Sequence, residues 1–266
     1  MGSIGVDPTK KKDSNEMASS DDMGFLDHLE ELRWRIFKVL ISIVLFSVVS
    51  FFFSDFFLNF LIEPSKTIEP PLTLQVLRVQ GMLIVKMWIA FFGGVILSLP
   101  VIVYQIWSFI APGLYQKEKK HLPTLIVATF FSFISGAAFA YYVIIPLIIP
   151  TLLAFGVEGI ENNISIDYYF SFVLQMIMAS GVIFEMPVVA YFLGRIGLLT
   201  PAFMRHYRRY AIACIFIVAA LLTPPDPLSQ MLLAIPLLVL YEISIYISGI
   251  ASRRSHDDNK STDFKP

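Results

Sequence analysis

Six apolar stretches, at residues 39–62, 87–107, 124–149, 168–194, 210–222 and 227–248, fill most of this chain and fix its solvent. A bilayer core about 30 Å thick takes roughly 20 apolar residues per helix. Hydrophobic residues make up 56% of the 266, and the mean hydropathy is +0.69, values foreign to a water-soluble domain of this size. Three acids lie inside the stretches: Asp55, Glu185 and Glu242. The expected fold is therefore all-α, a polytopic membrane protein with six transmembrane helices between residues 24 and 250. The flanking tails, 1–23 and 251–266, are rich in Ser, Asp, Lys and Asn and are expected to be disordered. The first apolar run starts well into the chain and no small-residue cleavage site follows it, so no signal peptide is expected.

The 20 Lys and Arg residues sort sharply by connection. The segment before the first stretch, the second and fourth connections and the C-terminal tail hold 17 of them; the first connection holds Lys66, Arg78 and Lys86, and the third and fifth hold none. Without the tail lysines 10, 11, 12, 260 and 265 the ratio is still 12 to 3. The positive-inside rule then places both termini in the cytoplasm. A bacterial plasma membrane is favoured over a thylakoid, because the N-terminal tail is short and carries Asp13, Glu16, Asp21 and Asp22, unlike a transit peptide.

The last two stretches read as short. About 13 residues separate Arg209 from Pro224, or about 20 Å of helix. The sixth run is interrupted by Glu242, so a hairpin of two short helices around TPPDP is expected. Such a hairpin would thin the bilayer or pair with other helices, unless its ends extend into the headgroups. Pro100, Pro146, Pro150, Pro187 and Pro236 interrupt the spans and predict kinks, hence a curved, concave bundle. Cys214 reads as a small core residue. The first outer connection, 63–81, with Pro64, Pro70 and Pro71, is expected to cap its face and to touch neighbouring copies.

Residues 24–36, GFLDHLEELRWRI, repeat apolar groups at Phe25, Leu29, Leu32 and Ile36, while His28, Glu31 and Arg35 share another face. An interfacial helix anchored by Trp34 and its arginines explains the amphipathicity. It does not explain Glu30 and Glu31 beside an anionic surface. In the second connection Glu118 stands among Lys117, Lys119, Lys120 and His121, either as a solvated loop acid or as a partner to Glu31 on the same membrane face.

The segments HLEELRWR, WSFIAPGLYQKEKK, AYYVIIP, SGVIFEMP and LLTPPDPLSQ follow one another in this order. Together they closely resemble the TatC family, the multispanning receptor subunit of the twin-arginine protein translocase, over about residues 24–250. The resemblance implies six helices in a concave, glove-like bundle. It also implies that Glu31 and Glu118 receive the paired arginines of a substrate signal peptide. A guanidinium presents a rigid fork that a carboxylate accepts through two bonds. His28 and Arg33 match positions of the same patch and are cast as organisers of Glu31, with Phe109 as apolar support. Glu185, an intramembrane acid and so a functional candidate, is implied in contacts with single-span partners, or else it serves packing. Asp226 and Gln230 are implied in partner contacts or transport, although Asp226 also reads as the cap of the sixth helix.

The resulting expectation is a non-enzymatic receptor core that binds twin-arginine signals of folded precursors. Its partners would be TatA- and TatB-type single-span subunits and further copies of itself in a lipid bilayer, with transport driven by the proton gradient as the family implies. The competing reading is a secondary transporter of a small solute, which would want a midplane polar cluster rather than Glu185 alone. The HExxH signature is missing and the spans lack GxSxG, which argues against an intramembrane enzyme. Without a GxxxxGK[ST] loop, neither a nucleotide nor another cofactor is expected; nor is a metal or a nucleic-acid partner.

Overall fold

The computed structural model describes residues 9–66, 72–110, 122–154, 163–223 and 227–260, with side chains placed between 28 and 252. Helix α1 (Thr9–Phe52) leads into α2 (Ser54–Lys66), strand β1 (Thr73–Gln75) and α3 (Gly81–Ile110). Next come α4 (Leu122–Phe139), a π-turn at Ala140–Ile144 and α5 (Ile145–Leu153). After strand β2 (Asn163–Ser165) follow α6 (Ile166–Phe184), α7 (Met186–Arg195), α8 (Pro201–His206), α9 (Arg208–Leu222) and α10 (Pro227–Lys260). Five segments are long and apolar enough to cross a membrane: His28–Phe52, Gly81–Phe109, Pro123–Leu153, Ile166–Arg195 and Pro227–Ser252. The sixth is α9, with 15 residues, about 22 Å against a core of about 30 Å.

Three span expectations change. The first span ends at Phe52 rather than 62, because the chain breaks at Phe53 and restarts with Ser54 and Asp55, residues suited to a helix N-terminus. Asp55 is then met by Lys86 of α3 at 2.8 Å. The sixth span is not short. Glu242 does not end it, because Arg208 of α9 meets that carboxylate at 2.5 Å on a half-exposed flank and α10 runs on to Lys260. Cys214 is exposed, not core, because α9 buries only Ile215 and Ala219.

Irregularities accompany Pro146 and Pro187, whereas Pro100, Pro150 and Pro236 lie inside unbroken helices. Pro146 follows the π-turn, where the backbone ladder is already widened. Pro187 follows the break at Glu185. It cannot donate to the carbonyl of Ile183, so the fourth span splits into α6 and α7. At that break the Phe184 carbonyl accepts the Ser132 hydroxyl of α4 at 2.5 Å.

The core lies where α4, α5, α6 and α10 meet, around Phe133, Phe170, Val173, Ile145 and Ile148. Buried tyrosines staple span ends: Tyr141 donates to the Phe60 carbonyl at 2.6 Å, Tyr169 to Leu61 at 3.0 Å and Tyr241 to Met204 at 2.8 Å. Close helix contact depends on small residues. A Cβ at Gly94 would lie 2.6 Å from the Ser47 backbone nitrogen, and one at Gly136 would lie 2.6 Å from the Ser180 carbonyl. The first and third connections are also joined. β1 pairs in parallel with β2, Thr73 opposite Asn163, and Asn163 accepts from Thr73 and Gln75 at 3.0 Å each. Arg78 extends that clasp to Asp167 at 3.9 Å.

Candidate functional site

At one end of the bundle, α1 lies along α3 with its polar stripe inward. Glu31, Leu32, Arg35 and Val39 are half-buried, whereas Leu29, Ile36, Phe37 and Leu40 face outward. Most of the apolar stripe of the amphipathic segment thus faces outward, while Glu31 and Arg35 turn toward the bundle. Helical spacing of four places Arg35 over Glu31. Arg35 Nε donates to Glu31 Oε1 at 2.9 Å, and Nη2 bonds the same oxygen. Its Nη1 reaches across to Gln105 Oε1 of α3 at 3.2 Å. His28 Nδ1 stands 3.7 Å from the other oxygen, Oε2. The His28 ring stacks on Phe109 with centroids 4.3 Å apart and planes 13° from parallel.

His28 and Phe109 therefore meet beside Glu31, in the one patch that the resemblance implies. Arg33 does not take the organising role expected of it. Two residues from Glu31 it points to another side of the helix, and it lines an apolar cleft with Leu29, Trp34, Phe37 and Leu40. Arg35 takes the place on Glu31. Gln105 was missed, although one amide between Tyr104 and Ile106 in an apolar stretch is a signal of its own. Glu118 lies outside the described residues.

The second polar position is in the interior of the fourth span. Glu185 sits at the break between α6 and α7, against Thr129 and the Phe133 backbone of α4. Its Oε1 is buried and has no hydrogen-bond partner among the described residues. Gly136 and Gly181 let α4 and α6 approach closely here: a Cβ on Gly181 would sit 2.5 Å from the Phe133 ring. Below the break an apolar cleft of about 250 Å³ opens between Ile183, Met186, Cys214, Val218 and Leu237. Gln230, in the first turn of α10, donates to the Phe216 carbonyl at 3.0 Å and so ties the last hairpin together. Asp226 lies outside the described residues.

The geometry at Glu31 accommodates a guanidinium, and no group of three or more potential metal ligands occurs among the described residues. The chain matches the family described as TatC, Sec-independent protein translocase protein, over residues 27–236. Its relatives include the TatCy translocase protein of Bacillus subtilis (strain 168), 38% identical over 88% of this chain and 92% of that protein. The TatC protein of Aquifex aeolicus (strain VF5) is 36% identical over 90% of this chain and all of that one. A crystal structure of the twin-arginine translocase receptor TatC superposes with a TM-score of 0.77 at 37% identity, covering 85% of this chain and 99% of the other.

Proposed function

Because this chain belongs to the TatC family of Sec-independent protein translocase proteins, we propose that it is the receptor that reads twin-arginine signal peptides, with Glu31 taking one arginine and Glu118 the other. The chain is a multi-pass membrane component of a protein translocase with the six-span TatC fold. The observation that carries the receptor reading is the docking of a guanidinium on Glu31 at the edge of the spans, with two nitrogens on one oxygen. A carboxylate in that setting recognises a fork better than a point charge. Arg35 Nη1 also reaches Gln105 of α3, which fixes the guanidinium in place.

His28, held by Phe109, flanks the second oxygen and limits the directions of approach. Arg33 contributes positive charge toward the headgroups. The charge count favours a cytoplasmic position for this end and both termini, and the short acidic N-terminal tail favours a bacterial plasma membrane. Single-span TatA- and TatB-type partners dock at the interior site, where Glu185 Oε1 is a buried acceptor without a hydrogen-bond partner among the described residues. Asp226 and Gln230 act at the far hairpin, and further copies of the chain complete the receptor.

Photocrosslinking from position 31 or 118 tests the receptor reading. A peptide carrying RR should crosslink strongly and its KK counterpart weakly. Equal crosslinking of both, or none from either position in a folded protein, removes the assignment.

A further inference from the structure

One oxygen of Glu31 is hydrogen-bonded from within the chain, and the other faces an imidazole. Oε1 holds the Arg35 guanidinium, and Oε2 faces His28 at 3.7 Å. Arg35 is the more buried partner, its side chain 18% exposed against 36% for Glu31. It is pinned a third time, on a different helix, by Gln105. A fork from an incoming guanidinium needs both oxygens of one carboxylate, and Arg35 already holds Oε1, so the resting chain obstructs its own receptor.

We propose that Arg35 is an internal ligand of Glu31, locked by Gln105, and that an incoming signal-peptide arginine must displace it. This rests on the reading of Glu31 as a signal-peptide carboxylate. The displaced side chain has room within the cleft of about 410 Å³ between α1 and α3 that Arg35 and Glu31 already line together with Trp34, Lys38, Tyr104, Gln105 and Ser108. Its hydroxyls and amide oxygen accept hydrogen bonds from a guanidinium.

The consequence is a threshold. When the competent state is a fraction of the population, apparent affinity falls by that fraction for every ligand. Arg35 therefore weakens RR and KK segments equally and leaves their ratio unchanged. What it changes is occupancy: segments that bind Glu31 poorly stay off at ordinary concentrations. An exposed ion pair at this spacing is weak, but the third bond to Gln105 and the half-burial hold the closed form. Release is expected to be worth about three- to tenfold in affinity.

The test uses the full chain in nanodiscs of phosphatidylethanolamine and phosphatidylglycerol, titrated with fluorescent signal peptides carrying RR or KK. Arg35→Gln should tighten both peptides by the same factor, about three- to tenfold. Gln105→Leu should act in the same direction by a smaller factor, and it carries the test if Arg35→Gln does not fold. In the Glu31→Gln background Arg35→Gln should give no tightening. Weaker or unchanged binding in the variants at positions 35 and 105, with Glu31→Gln still losing the peptide, overturns displacement and leaves the receptor intact. Full binding by Glu31→Gln removes the receptor reading, and the internal ligand with it.

Discussion

Glu31 and Glu185 are the same side chain in opposite circumstances. Glu31 stands at the end of the spans with a guanidinium on one oxygen, an imidazole near the other and 36% of its side chain exposed. Glu185 stands inside a span, at a proline-induced break, with Oε1 buried and unpartnered among the described residues. Leaving a buried acceptor unsatisfied costs about 1–3 kcal/mol, and an acid at the bilayer centre adds about 2.5–3.5 kcal/mol on insertion scales. The two sites therefore balance differently. Stability is served by the pair at Glu31, which can change one guanidinium for another. At Glu185 stability is spent, which makes sense where a partner from outside the chain completes the hydrogen bonding.

The largest expected effect follows at Glu31. Glu31→Ala should abolish export of a twin-arginine precursor and its crosslinking. It should leave the protein inserted, because Arg35 keeps Gln105 and reaches the headgroups. Export assays in membranes, with immunoblots for the receptor, check this; normal export would place recognition elsewhere. Glu185→Ala should split stability from function. Thermal stability in detergent should hold or rise by about 1 kcal/mol as the orphan acceptor disappears, while association with single-span partners and transport should fall. A joint loss of stability and transport would make Glu185 a packing residue and erase the contrast.

The sequence carried much of this, unevenly. Apolar length made five of the spans legible, because lipid imposes it. The pairing of Glu31 with Arg35 was legible as a shared face at a spacing of four, and the His28–Phe109 contact through resemblance. Arg33 misled because matching a family position says nothing about which way a helix faces. The break at Phe53 was not legible, since no proline or glycine marks it and only Ser54-Asp55 hints at a restart. The unbroken sixth helix was hidden for a different reason: the partner of Glu242 is Arg208, on the preceding helix. The β1–β2 clasp joins connections 90 residues apart through three-residue strands, too short for a pattern to show.

A substitution next to Glu185 sharpens the contrast. In Gly136→Ala the new Cβ would stand 2.6 Å from the Ser180 carbonyl and 2.7 Å from the Phe184 Cβ. Backbone cannot yield as a flexible side chain does, so α4 and α6 must separate at the break, at a cost of about 1–3 kcal/mol. Stability and partner association should fall together, unlike Glu185→Ala, and a thermal melt beside a pull-down of the single-span partner separates the two. Unchanged stability would mean that the helices part freely there.

The smallest effect is expected at the third acid, Glu242. Its partner is Arg208, the side chains are 55% and 48% exposed, and Glu242 lies inside an unbroken helix. Exposed pairs contribute about 0–1 kcal/mol. What Arg208 supplies is permission: with its charge answered at the flank, α10 passes Glu242 without interruption. Glu242→Gln keeps the shape and a hydrogen bond while removing the charge. It should shift stability by less than about 1 kcal/mol and leave export unchanged. Arg208→Gln leaves the carboxylate alone on the lipid flank and should cost more than the change at 242. Melts of the two variants read the asymmetry directly. If Glu242→Gln proved as damaging to export as Glu31→Ala, a satisfied, exposed carboxylate would be doing receptor work, and the partners around an acid would no longer tell its role.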